Sequence, residues 1–303
     1  CERLSRFDNT VRIVHMEDNE DELVRSFLGP YAYQRALMSA DGAGIPDSLT
    51  HPLSGRRFLR ASDGVTMLMA AMGELIPPDL PVCVIWPAAD DRVYYPRANR
   101  GVVRAKYDLC REAVILVYTG NTHPANFREV RSLYLSIHLL NRRGIPARLV
   151  RTGTNVFGFD PTYQEWANRY ALSLGYLESR RELGELLAMA DLLVQPGKDD
   201  AFNRYRFPSK LPEYFASGRP VVLPRTNIGC VTRHLEDAYV LPNADGPAIA
   251  NAVEQLVGDP ALSVRLAEGA RAFYTANFSW SSSASRLVQF YVEVIARKSK
   301  GRS

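Results

Sequence analysis

Residues 192–224 read LLVQPGKDDAFNRYRFPSKLPEYFASGRPVVLP. The apolar run DLLVQPG (191–197) stops at a glycine, and a polar loop follows it. PSKLPEYFASG then has helical composition and closes on Gly218, before a second apolar run, PVVLP (220–224). Two short β-rich runs joined through a helix form a βαβ unit, and such units assemble into a parallel, doubly wound sheet.

The same alternation extends in both directions. Upstream, AVILVY (113–118) ends at Gly120, the helical stretch FREVRSLYLSIHLLNRRG closes on Gly144, and ARLV (147–150) is the next strand. TYQEWANRYALSL is predicted as a helix, GYL (175–177) as a short strand, and RELGELLAMA as a helix. Downstream, AYVL (238–241) reads as a sixth strand, and helices finish the chain with WSSSASRLVQFYVEVIARK. The front is less regular. VRIVH (11–15), VTML (65–68) and VCVIW (82–86) read as strands among turn-rich loops such as SADGAGIPDS. PPDLP (77–81) and PAADDRVYYPRANRG (87–101) are Pro-rich breaks, and the second is expected to be an interdomain linker. The predicted organisation is an N-terminal part over 1–100, an α/β domain over 101–278, and a final helix over 279–303.

A chain of 303 residues that is 46% hydrophobic and 23% charged can build two ordinary cores. Its net charge of +4 suits anionic small molecules or an anionic membrane surface, and is too weak to argue for nucleic acid. Cys1, Cys83, Cys110 and Cys230 have no paired spacing and read as reduced thiols. No apolar run approaches the ~18–20 residues of a membrane span. CERLSRFDNT lacks the apolar core of a signal peptide, so a cytoplasmic location is expected. Histidines and acids show no metal-ligand spacing. A dinucleotide dehydrogenase is disfavoured, because no GxGxxG follows a predicted strand; RTGTN at 151–155 does not supply one.

Residues 206–213 carry the chemistry. Pro208 or Ser209 is expected to begin the helix, where free backbone N–H groups attract an anion. Arg206 and Lys210 flank that point with cations, and Glu213, one turn on, suits the vicinal hydroxyls of a ribose. A purely structural reading also exists: a helix start, a first-turn acid favoured by the helix dipole, and Gly218 as a C-cap.

Together with ILVYTGNTHPAN (115–126), LGYLESRRELGELLAMADLLVQP (174–196) and FSWSSSASRLVQFY (278–291), the opening stretch resembles the donor-binding half of bacterial retaining glycosyltransferases of family 4. That family has the GT-B fold of two Rossmann-like doubly wound domains. The resemblance covers most of residues 60–295. It implies that Glu213 binds the donor ribose, that Gly120 and Asn121 face the donor phosphates, and that Gly175 and Tyr176 line the nucleobase pocket. His15, just after a buried strand, matches the family's cleft histidine and is the implied catalytic residue; its plainer reading is structural. Ser209, Lys210, Arg206 and Tyr205 complete the implied donor site.

Three departures from the family stand out. A second glutamate usual near the transferred sugar is absent, its place being taken by Tyr205. The loop after Gly120, NTHPANFRE, has only His123 and Arg128 as basic candidates. A full N-terminal domain of this fold should need about 150–200 residues, so the one here is expected to be incomplete. The implied activity is transfer of a sugar from a nucleotide-diphosphate donor to an acceptor hydroxyl with retention, in bacterial surface polysaccharide or glycolipid synthesis. It needs no cofactor beyond the donor. The implied partners are the nucleotide sugar and a glycan or lipid-linked acceptor, with peripheral membrane contact at the inner face in the latter case. The alternatives are a degenerate nucleotide-binding module without turnover and a nucleotide-sugar epimerase of the same fold.

Overall fold

In the computed structural model, residues 10–39, 45, 51–154 and 160–300 are described. Cys1, most of SADGAGIPDS and Asn155 of RTGTN lie outside them. The chain divides into two compact units: residues 1–87, 201–207 and 280–303 form the first, and residues 88–200 and 208–279 the second.

The first unit carries β1 (Ile13–Met16), α1 (Glu20–Met38), α2 (Pro52–Arg60), β2 (Gly64–Met67) and β3 (Val82–Val84). Its strands pair in parallel in the order β1-β2-β3. α1 bends at Gly29, whose φ of +74° is followed by Pro30 inside the helix. The chain's last helix, which becomes α10 (Trp280–Lys300), also belongs to this unit. It fits closely because Gly64 has no side chain: a Cβ there would lie 3.0 Å from both Phe290 and Val294. Lys298 donates to Asp63 at 2.7 Å and Arg297 to the Asp79 carbonyl at 2.9 Å.

The second unit runs α3 (Arg100–Lys106), β4 (Val114–Thr119), α4 (Phe127–Arg142), β5 (Ala147–Thr152), α5 (Pro161–Tyr170), β6 (Ala171–Ser173), α6 (Arg180–Met189), β7 (Leu192–Val194), β8 (Gly197–Lys198), α7 (Leu211–Ala216), β9 (Val221–Pro224), β10 (Tyr239–Leu241), β11 (Asn243–Ala244), α8 (Gly246–Gly258) and α9 (Pro260–Asn277). Six strands form one parallel sheet in the order β10-β9-β7-β4-β5-β6, and β8 pairs antiparallel with β11. Ile115, Leu116 and Val117 on β4 are wholly buried, as a central strand covered on both faces requires. α4 buries Val130, Leu133, Tyr134, Ile137 and Leu140, one stripe at helical spacing. That stripe joins Leu116, Leu149, Ile249 and Val253 in a single apolar cluster.

Four expectations need correction. The helix expected through Leu174 stops at Tyr170, because Ala171–Ser173 leave it to pair with β5. The short strand is therefore ALS, and Gly175 and Tyr176 lie in the loop beyond it. α7 begins at Leu211, not at Pro208 or Ser209. Residues 208–210 make a turn, closed by the Leu211 N–H on the Pro208 carbonyl at 2.9 Å. Pro212 takes the early helical position, where a missing N–H costs nothing. Finally, residues 88–100 are not a linker. They pack on the second unit, where Cβ atoms at Gly184 and Gly218 would come within 2.4 Å of the Val93 carbonyl and 2.7 Å of Pro96. Among the described residues, no helix is long and apolar enough to cross a membrane.

Candidate functional site

The winding of the second unit's sheet reverses between β4 and β7: from β4 the chain moves outward through β5 and β6, then returns to build β7, β9 and β10. Ligands of open α/β sheets bind beyond the carboxyl ends of strands at such a switch point. Gly120 follows the last residue of β4 there, and the loop after β7 leads into α7.

Tyr214 ties the two together. Its ring is fully buried, and its hydroxyl accepts the Thr119 N–H at 2.8 Å, so the first turn of α7 is pinned to the end of β4. Lys210, just before that turn, lays its Nζ 4.1 Å from the centre of the buried Tyr118 ring. The same ammonium occupies the space a side chain at Gly120 would take, 3.0 Å from an added Cβ. Glycine is required at 120 for a second reason, since its φ is +134°. Beside it, a Cβ on Gly153 (φ +94°) would fall 2.5 Å from the Gly120 carbonyl carbon and oxygen. The Gly153 N–H in turn donates to the Gly175 carbonyl at 2.7 Å. Three glycines thus stand in a row at the ends of β4, β5 and β6.

The loop after Gly120 is fixed from below. Arg151 is 1% exposed, donates to Thr122 Oγ1 at 2.8 Å and to the Gly120 carbonyl at 3.3 Å, and also reaches the Tyr134 hydroxyl. In a trans peptide the C=O and the next N–H point opposite ways, so the Asn121 N–H faces away from this guanidinium. The Asn121 side-chain oxygen accepts from the Thr154 N–H at 2.9 Å, joining this loop to the one after β5. A buried cation beneath a glycine turn makes the turn's outer face favourable for an anion.

Glu213 sits in the first turn of α7. Burial pushes its carboxyl above the ordinary range; a hydrogen bond from Tyr94 and the charges of Arg180 and Lys210 offset part of that. Tyr94 is 4% exposed, and burial and the neighbouring carboxylate hold its hydroxyl well above the usual tyrosine value. Tyr176 is 73% exposed, so it is not the core aromatic that its residue type alone suggests. Ser209 is exposed in the turn and caps nothing. With only six residues in α7, the helix end adds little field of its own, and the positive charge expected there falls to Lys210.

The remaining named residues lie in the first unit. His15 Nδ1 is 2.8 Å from Thr66 Oγ1, and its Nε2 is 4.0 Å from Glu17. The Tyr205 hydroxyl donates to Glu74, which also pairs with Arg204 at 2.6 Å. Arg206 lies over the Phe202 ring and near Asp18, whose carboxyl is raised by burial and lowered in part by that guanidinium. The structure therefore brings together Gly120, Asn121, Gly175, Tyr176, Ser209, Lys210 and Glu213 within one unit, and places Tyr205, Arg206 and His15 in the other. Sequence reading missed Tyr94, Arg151 and Gly153. An arginine inside the apolar run ARLVRT and an aromatic pair inside a Pro-rich break were the available signals. Among the described residues, no three His, Cys, Asp or Glu side chains cluster in a way that would hold a metal.

Residues 113–259 match the family described as glycosyl transferases group 1. The chain is 25% identical to a D-inositol 3-phosphate glycosyltransferase of Stackebrandtia nassauensis, over 84% of this chain and 59% of that protein. It spans about half the length of the curated relatives it matches. Among solved structures, sucrose-phosphate synthase from Thermosynechococcus elongatus superposes with a TM-score of 0.70 at 17% identity, covering 98% of this chain and 71% of that one. HepE of Anabaena, solved with UDP and glucose, gives a TM-score of 0.67 at 13% identity, covering 92% and 71%. The fold is that of the GT-B glycosyltransferase structures on which the chain superposes, and residues 113–259 are similar to the group 1 glycosyl transferases.

Proposed function

We propose that the second unit is the donor-binding half of a glycosyltransferase that moves a hexosyl or related sugar from a nucleoside-diphosphate donor to an acceptor hydroxyl. The observation that carries this reading is the convergence of the Gly120 turn, Lys210 and Glu213 at the sheet's switch point. The turn allows close approach of a diphosphate, Lys210 supplies a point charge, and Glu213 offers acceptors to two ribose hydroxyls. Tyr176 presents an exposed ring on which a base can stack. Charge that builds on the departing diphosphate would be stabilised by Lys210 and by N–H groups held in place before the reaction.

HepE's complex with UDP and glucose supports a nucleotide sugar as donor. Retention at the anomeric carbon, a metal-free and cofactor-free reaction, and the roles of His15, Tyr205 and Arg206 rest on the family resemblance. So do a glycan or lipid-linked acceptor in surface polysaccharide or glycolipid synthesis, and a cytoplasmic site at or near the inner membrane face.

The test is a thermal-shift series of the chain with UDP, GDP, ADP and their sugar derivatives. A nucleotide at about 100 times its Kd should add about 2.7 kcal/mol of stability. Stabilisation by one base, lost in both Lys210→Ala and Glu213→Ala, is expected. Unchanged stabilisation in both variants would refute the site.

A further inference from the structure

At the opposite, amino-terminal edge of the same sheet lies a cavity of about 420 Å³, within the size range of small-molecule sites. It opens where β4, β7 and β9 begin, roughly 20 Å along β4 from Gly120. Its polar wall holds four arginines, Arg100, Arg104, Arg111 and Arg219, against two acids, Asp191 and Glu112.

The acids are already engaged. Asp191 accepts from Arg100, from Arg104 at 2.7 Å and from the Ile115 N–H at 2.8 Å. Glu112 accepts from the Cys110 thiol at 2.8 Å. Arg104 further caps the Met189 carbonyl at the end of α6. Arg219 is placed differently. Its contact with the Arg97 carbonyl is long, at 3.4 Å, and its buried Nε has no hydrogen-bond partner. Burial and the charge of Arg100 bring this guanidinium down to about 10, with Arg104 adding to the effect and Asp191 opposing it. Crowding like charges in a half-buried cavity is unfavourable unless an anion completes the site. The facing wall is apolar and includes Leu256, Pro260 and the exposed Val257 and Val264.

We infer that this cavity is a second anion site, separate from the switch-point site, and that it takes a small organic phosphate. Its doubly charged head would sit among Arg100, Arg111 and Arg219, and its apolar body against α8 and α9. Guanidinium forks match phosphate oxygens two at a time, which lysines do not. The excess of two positive charges matches a phosphate dianion.

Titration calorimetry with inorganic phosphate, run on the whole chain in about 150 mM salt, tests this. Binding with a Kd below about 1 mM is expected. It should be unchanged in Lys210→Ala, which removes the cation of the switch-point site. Arg219→Gln should weaken it at least tenfold, and the exposed Arg111→Gln about threefold, which keeps the test decisive if Arg219→Gln does not fold. Absence of binding overturns the inference. Loss of binding in Lys210→Ala, or binding indifferent to both arginine changes, overturns it as well, by assigning the phosphate to the other site or to the surface at large.

Discussion

Two glycine turns stand at the carboxyl edge of the second unit's sheet, and their surroundings are opposite. Gly120 (φ +134°) is crowded: Lys210 and the Tyr118 hydroxyl stand where its side chain would go, and its carbonyl lies where a Cβ on Gly153 would fall. Gly175 (φ +67°) has nothing within 4 Å of an added Cβ, and the Tyr176 ring beside it is mostly in solvent. The first turn is defined by backbone packing over a buried arginine; the second is defined by a side chain held out into open space. A site for a nucleotide needs both characters. The diphosphate is the same in every donor and can be met by fixed backbone, whereas the base varies and is met by an exchangeable surface ring.

The sharpest way to break this contrast is Gly153→Ala. A Cβ would overlap the Gly120 carbonyl, at a φ of +94° that disfavours any side chain. The left-handed conformation costs about 1–2 kcal/mol and the forced overlap about 1–3 kcal/mol more. Denaturant unfolding should report a loss of about 3 kcal/mol, with nucleotide-dependent stabilisation abolished. The matched change Gly175→Ala meets only the conformational cost, about 1–2 kcal/mol, and should keep most of the binding. Equal losses in the two variants would show that the Gly120 turn is not the constrained element.

Glu213→Gln should separate stability from binding. The native carboxyl is raised by burial, so the folded state holds a proton that the unfolded chain releases. That contribution is fully present below the ordinary carboxylate value of about 4.3 and is lost as pH rises through the raised native value. At neutral pH the wild type has therefore lost stability that the uncharged glutamine variant, which does not titrate, keeps, and the variant should melt higher. Below about pH 4 the two should converge. Nucleotide affinity should fall roughly tenfold or more, because a charged acceptor is worth about 1.5–3 kcal/mol to the hydroxyls it meets. A variant that melts lower at neutral pH would mean that the Tyr94 hydrogen bond outweighs the burial.

The parts of this arrangement readable from sequence are those set by local pattern. The apolar runs of β4, β5, β7 and β9 and the stripe on α4 each carry their periodicity within one element, so the doubly wound sheet followed from them, whereas the strand order that sets its switch point depends on pairing between elements. Lys210 and Glu213 were legible because a helix start brings them within one turn of each other. What escaped was set by long-range fit. Residues 88–100 look like a linker because Pro and Asp break any periodicity; they pack through Val93 on Gly184 and Pro96 on Gly218, partners about a hundred residues away whose common feature is a missing side chain. Tyr94 reaches Glu213 only through that packing. ALS reads as the end of a helix and GYL as the strand because short apolar runs carry no period of their own, and only backbone pairing, with Ala171 opposite Leu149, selects ALS. Ser209 gave way to Lys210 at the helix start because two prolines, Pro208 and Pro212, compete to open the helix and only the second lies inside it.

Tyr176→Ala is the mildest change, and it sharpens the open side of the comparison. The ring is 73% exposed, so its removal takes away little packing and the melting temperature without ligand should hardly move. A base stacked on an aromatic ring is worth about 1–3 kcal/mol, so affinity for the preferred nucleotide should fall about five- to hundredfold. Inorganic pyrophosphate, which has no base, should bind the switch-point site equally well before and after the change. Preference among UDP, GDP and ADP should narrow in the variant if Tyr176 is the surface that distinguishes them and the Gly120 turn holds their phosphates. A uniform loss for nucleotides and pyrophosphate alike would place Tyr176 in support of the Gly120 turn, and the division between a fixed phosphate side and an exchangeable base side would then fail.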